Sequence, residues 1–202
     1  MSKLRFLLYA RHSKFILLFL FALTAISCKT AEFGFKVVDI NGMIYDFSNR
    51  PVAFCEISLG RWYKGTSDIN GRFTLSKVPL GKYKLSVYKN GHESYSDEAS
   101  VKQKGQIIYI RLPSQNQLLG LADEALSANN FSIAEEMAER ALRINENNIE
   151  SLFYCAVVKF RQRQYAGAMD FLEKAKRLGS RDIYIEKFIS QLKEYQYGNY
   201  QD

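Results

Sequence analysis

The 202-residue chain carries 28 Lys and Arg against 21 Asp and Glu, for a formal net charge of +7, with two histidines and three cysteines. That surplus does not call for nucleic acid or another polyanion: four of the cations fall in the first 14 residues, and from residue 29 onward 24 cations face 21 anions. With no Cys-x-x-Cys and no His/Cys cluster, a structural zinc site of ordinary ligand spacing is excluded.

The chain opens with Lys3, Arg5, Arg11 and Lys14, followed by the apolar run Phe15-Ile16-Leu17-Leu18-Phe19-Leu20-Phe21-Ala22-Leu23 and then Thr24-Ala25-Ile26-Ser27-Cys28. A positive start, an apolar middle and a small residue before the cut are the parts of a secretory signal. The run over residues 15–27 is shorter than the roughly 20 residues of a spanning helix. A cut beside a chance cysteine is the other plain reading. The segment resembles a bacterial lipoprotein lipobox, with Ala25 where that family favours Leu. The resemblance implies a signal peptide over 1–27, a covalent lipid on Cys28 and a tether over 28–32. It also implies a place in a bacterial envelope, on the inner or outer membrane and facing the periplasm. Residues 29–32 reach only about 15 Å at roughly 3.4 Å per residue, which would keep the next domain near the lipid.

From residue 33 to 112 the period is two. Tyr83, Leu85 and Val87 alternate with Lys82, Lys84, Ser86 and Tyr88, and Ile108, Ile110 and Leu112 alternate with Ile107, Tyr109 and Arg111. The breaks are expected at Asn41-Gly42, Asn70-Gly71, Pro79-Leu80-Gly81 and Asn90-Gly91, where glycine permits positive φ. Short strands punctuated this way predict a small antiparallel sandwich.

The segments Gly65-Thr66-Ser67-Asp68-Ile69-Asn70-Gly71-Arg72-Phe73 and Pro79-Leu80-Gly81-Lys82-Tyr83-Lys84-Leu85 resemble the carboxypeptidase regulatory-like domain. That family has a prealbumin-like (transthyretin-like) β-sandwich and serves as a non-catalytic accessory module.

Three motifs here carry no chemistry. Gly60 to Thr66 has the glycine spacing of a P-loop without its lysine. Asp39-x-Asn41-Gly42 and Asp68-x-Asn70-Gly71 lack the bidentate glutamate of a calcium loop. Trp62 and Tyr63, flanked by Arg61 and Lys64, are candidates for stacking on a sugar ring, with coverage of the sandwich edge as the plain reading. Asp97-Glu98 reads as an acidic pair in a strand-linking loop, and Cys55 and Cys155 as buried free thiols.

After Pro113 the period becomes helical and the sequence repeats. Phe131, Ala134, Ala138 and Ala141 recur as Tyr165, Ala168, Leu172 and Ala175, a spacing of 34 residues. The pattern resembles tetratricopeptide repeats (TPR), over 115–148 and 149–182, with an amphipathic capping helix over 183–196. Ser114-x-x-Gln117 reads as a capping box opening the first helix. Because two repeats make a thin solenoid, the helices must lean on the sandwich, on a second copy in a homo-oligomer, or on a partner.

The resemblance implies a concave face that grips a protein partner, lined by Asn116, Leu119, Asp123 and Leu126, then Phe153, Val157, Phe160 and Arg161. The apolar strip Phe153, Val157, Phe160 is equally suited to a partner helix and to internal packing. No nucleophile or metalloprotease motif is present, and His92 has no second catalytic group near it in sequence. The sequence thus predicts a non-catalytic scaffold lipoprotein: an all-β sandwich followed by all-α hairpins, tied to membrane through its lipid and to a protein through its helices. It needs no further cofactor and no nucleic acid. The different class is a glycan or cell-wall binding module that uses Trp62 and Tyr63.

Overall fold

In a computed structural model of the chain, residues 36–180 and 182–198 are described here. Seven strands come first: β1 (Val37–Tyr45), β2 (Glu56–Leu59), β3 (Tyr63–Thr66), β4 (Arg72–Pro79), β5 (Gly81–Tyr88), β6 (Tyr95–Val101) and β7 (Ile107–Arg111). Five helices follow: α1 (Gln115–Ser127), α2 (Phe131–Ile144), α3 (Ile149–Arg161), α4 (Tyr165–Arg177) and α5 (Ile183–Gly198). The fold is a β-sandwich followed by helical hairpins of the tetratricopeptide type.

The sandwich has a three-stranded sheet, β4-β1-β7, against a four-stranded sheet, β3-β2-β5-β6. Apolar residues at every second position drive it. Val38, Ile40 and Ile44 of β1, Ile57 and Leu59 of β2, Leu85 and Val87 of β5 and Ile110 of β7 are all buried between the sheets. One pairing departs from the expected antiparallel pattern. β7 runs parallel to β1, with Asn41 opposite Ile107 and Tyr45 opposite Arg111.

The expected turn at Asn41-Gly42 is instead the middle of β1. The glycine answers a packing need there: a Cβ on Gly42 would stand 2.1 Å from the Phe73 ring of β4, so the ring fills the space that a side chain would take. Asn70-Gly71 and Asn90-Gly91 do turn, with Gly71 at φ 71° and Gly91 at φ 73°. The stretch after β1 closes on Asp46. This nearly buried carboxylate accepts from the Ser48 and Arg50 amides at 2.8 and 2.9 Å and from Arg50 Nε at 2.9 Å. Burial works against its charge, but the bonds from Arg50 and Ser48 prevail and hold its pKa below the ordinary value. Asp97-Glu98, expected in a loop, lie within β6.

In the helical part, α1, α3 and α5 begin at 115, 149 and 183, and α2 and α4 at 131 and 165, so the 34-residue period is kept throughout. The expected capping helix thus stands in register as the first helix of a third unit. Ser114 and Gln117 form the expected capping box, with Gln117 N–H donating to Ser114 Oγ at 3.2 Å and Ser114 N–H to Gln117 Oε1 at 3.3 Å. Ala122, Ala134, Ala138, Ala141, Ala156, Ala168 and Ala175 are fully or almost fully buried, which lets neighbouring helices approach closely. Of the three supports open to so short an array, the sandwich is in contact with the helices. Arg140 of α2 grips Glu93 of the β5–β6 connection through two parallel bonds, Nε to Oε1 at 3.0 Å and Nη2 to Oε2 at 2.7 Å. The Phe47 ring lies 5.7 Å from the same guanidinium. Backbone bonds from Glu93 N–H to Pro113 O and from Gln115 N–H to Gly91 O finish the junction.

Candidate functional site: the face of the first helices

The first helix of each unit packs beside the next, so α1, α3 and α5 together make one face of the array. Tyr154 of α3 faces Asp123 of α1, and burial first, then the Asp123 and Glu150 charges, push the phenol pKa up. From α3 to α5 the contact is aromatic. Phe153 meets Phe188 at 6.0 Å between ring centroids, Phe160 meets Phe188 at 5.2 Å and Tyr195 at 5.7 Å, and Tyr195 stacks on Tyr165 of α4 at 5.8 Å. Edge-to-face arrangements like these add stabilisation of about 0.5–1.5 kcal/mol per pair beyond area burial.

The residues expected on this face are placed differently from one another. Asp123 and Asn116 are exposed. Leu119 and Leu126 belong to the core between α1 and α2, only 3% and 6% exposed, so neither is open to a partner. Phe153 and Phe160 are half-buried under α5, while Val157 is half-buried against the first unit. Arg161 turns back to the first hairpin, donating to Asn129 Oδ1 at 2.7 Å with its guanidinium 5.1 Å from the Phe131 ring. The sequence reasoning missed the contribution of α5: Tyr184 stands 34 residues after Glu150 and is 70% exposed. The repeat spacing was the signal that could have found it.

On the outer side, Lys159 occupies a position where repeats of this type carry an aromatic. It pairs with Glu135, which also accepts from Gln162 Nε2 at 2.7 Å. These two partners, Gln162 first, hold the Glu135 carboxyl below its ordinary pKa against the effect of burial. The Cys155 thiol is pushed up to about 12 by burial, and the Cys55 thiol is raised by the same cause. Neither is a poised nucleophile.

In the sandwich, Trp62 is 81% exposed at the β2–β3 hairpin, whereas Tyr63 turns in and meets Tyr83 edge-on at 6.0 Å. The two rings do not form one platform. A trough of about 700 Å³ on the outer face of the four-stranded sheet has Ser58, Lys64, Lys84 and Ser86 in its lining, and Trp62 is not part of it. Cys28 lies outside the described residues. Among the described residues, no three His, Cys, Asp or Glu side chains are grouped to hold a metal, and no helix is long and apolar enough to cross a membrane.

Residues 127–199 match the family model for subunit 3 of the anaphase-promoting complex, or cyclosome, a TPR-like repeat family. The match covers the end of α1 through α5, including the helix expected only to cap the array. No curated protein matches the chain. Among solved structures, a mutant type II cohesin–X-dockerin complex from Acetivibrio cellulolyticus aligns at 16% identity, with a TM-score of 0.35, over 39% of this chain and 58% of that one. The 3-chlorocatechol 1,2-dioxygenase of Rhodococcus opacus aligns at 15%, with a TM-score of 0.32, over 39% of this chain and 60% of its own. The chain thus spans less than two thirds of either structure, and overlap at this level says nothing of what it binds or does.

Proposed function

We propose that the protein is a non-catalytic envelope lipoprotein, anchored through a lipid on Cys28, that holds a protein partner on the face formed by α1, α3 and α5. The TPR-like match supports a protein-interaction scaffold. The observation that carries the reading is the pairing of that face with a fixed base. The Arg140–Glu93 fork joins the array directly to the sandwich, so a partner held by the helices is held at a set orientation to the sandwich. The leader and Cys28 motif support the anchor.

Two measurements test this. Metabolic labelling with a radioactive fatty acid should mark the wild type and not Cys28→Ser, and equal labelling of both removes the anchor from the reading. Cross-linking from the exposed positions Asp123 and Tyr184 should trap one protein in common, and Asp123→Arg with Tyr184→Ala should abolish its capture while circular dichroism shows the chain still folded. Capture unchanged in that double variant would move the partner site off this face.

A further inference from the structure

The two sheets of the sandwich are unequal, and the inequality leaves one strand position open. β3 and β4 close one side of the sandwich, where a Cβ on Gly65 would lie 3.1 Å from the Leu75 side chain. Counting from that side, β4, β1 and β7 are set against a sheet of four, so β6 extends past the last strand of the opposite sheet.

The side chains of β6 record the gap. Asp97 stands opposite Leu85, and directly paired residues point to the same face, so Asp97 points to the inner side with buried Leu85. It is nonetheless exposed. Its neighbours on that side, Tyr95 and Ala99, are half-buried, while Val101 at the far end is buried. The Tyr95 hydroxyl donates to Asp97 Oδ2 at 3.4 Å, and among the described residues no cation pairs with Asp97.

The backbone beside the gap is also open. Leu112 N–H donates to Tyr45 O at 2.8 Å, which sets the phase of the β1–β7 ladder. In a parallel ladder the groups of alternate residues face the partner strand, so those of Ile107, Tyr109 and Arg111 face away from β1. Among the described residues, β7 pairs with β1 alone. Ile107 and Tyr109 are 48% and 66% exposed.

We propose that the open edge of β7 accepts an extended strand from a partner protein, and that this strand carries a Lys or Arg on the side that faces Asp97. Main-chain bonds to an open edge supply the attachment, and the inward side chains supply the choice. An inward carboxylate at an edge repels a wholly apolar strand, which would bury it unpaired. It admits a strand that brings the opposite charge, with apolar neighbours two residues to either side to cover Tyr95 and Ala99. A second copy of β7 does not meet that requirement. Its inner side presents Ile108 and Ile110, and its only cation, Arg111, lies on the outer side. This surface is separate from the helical face and does not rest on the function proposed above.

The test uses the full chain and two synthetic peptides, Thr-Val-Thr-Lys-Thr-Val-Thr and the same peptide with Glu for Lys. In amide NMR titrations the Lys peptide should shift Ile107, Tyr109 and Arg111, and the Glu peptide should not. Asp97→Lys should reverse the preference, changing each affinity by at least about tenfold. Asp97→Asn, which keeps the shape and removes the charge, should weaken the Lys peptide and serves alone if Asp97→Lys does not fold. Equal binding of both peptides, shifts elsewhere, or Lys-peptide affinity unchanged in Asp97→Asn would overturn the proposal. Self-association of the chain through β7, seen by sedimentation and lost in Tyr109→Pro, would overturn it as well.

Discussion

The sandwich and the helical array solve the same packing problem with different residues. The sandwich closes over branched side chains, Ile40, Ile44, Leu59, Leu85 and Ile110, brought together from strands far apart in sequence. The array closes over Leu118, Leu152, Leu172 and Leu192 interleaved with alanines, and each hairpin meets only its neighbours. A residue in the sandwich therefore answers to the whole domain, and a residue in the array answers to one interface. What couples the two is a charged fork at Arg140 with a few hydrogen bonds beside it.

The sharpest way to break the contrast is on the sandwich side. Gly42→Val forces a side chain into the Phe73 ring, and it should destabilise the protein by about 3 kcal/mol or abolish folding. Urea unfolding measures this, and Phe73→Ala in the same chain should recover part of the loss, because it removes the clash while leaving a cavity. A smaller effect is expected at the junction. Arg140→Ala strips Glu93 of both bonds and should cost about 1.5–3 kcal/mol. Calorimetry should then resolve two transitions in place of one; a single unchanged transition would mean that the backbone contacts at Pro113 and Gly91 suffice. Ser114→Ala removes the cap of α1 and should cost about 1 kcal/mol, read as a lower midpoint in urea.

The smallest effect is electrostatic. Asp46 and Glu135 both have depressed carboxyl pKa values in the folded chain, so each contributes stability that is fully present above its unfolded pKa. That contribution is lost as pH falls below about 4 through the lower folded values. Glu135→Gln should lower stability in the neutral region and leave it nearly unchanged at pH 2, which flattens the acid limb of a stability-versus-pH curve, as urea midpoints between pH 2 and 7 would show.

Periodicity made most of the fold legible in the sequence. The 34-residue spacing placed the helical units, and alternation placed β5 and β7. It failed where one residue type serves two purposes. Asn41-Gly42 has the chemistry of a hairpin turn, but nothing local reveals that a ring from β4 needs the glycine inside β1. Asp97-Glu98 looked like a loop because charges on both faces of a strand break the alternation, and only the missing strand opposite β6 explains why an inner charge is tolerated. On the candidate site, helix position alone could not tell exposed Asp123 from buried Leu119. Both occupy facing positions of the repeat, but Leu119 is drawn into the contact between α1 and α2.

The parallel pairing of β1 and β7 sets the geometry of delivery. Because the two strands point the same way, the chain enters the sandwich at the Val37 end and leaves it at the Arg111 end, beside Tyr45. The eight steps of β1 span about 26 Å at roughly 3.3 Å each. Val37, where β1 begins, is therefore separated from Ser114 by the length of that strand. One strand thus sets the distance between the two ends of the domain, and lengthening or shortening β1 would move the helices relative to Val37 by the same amount.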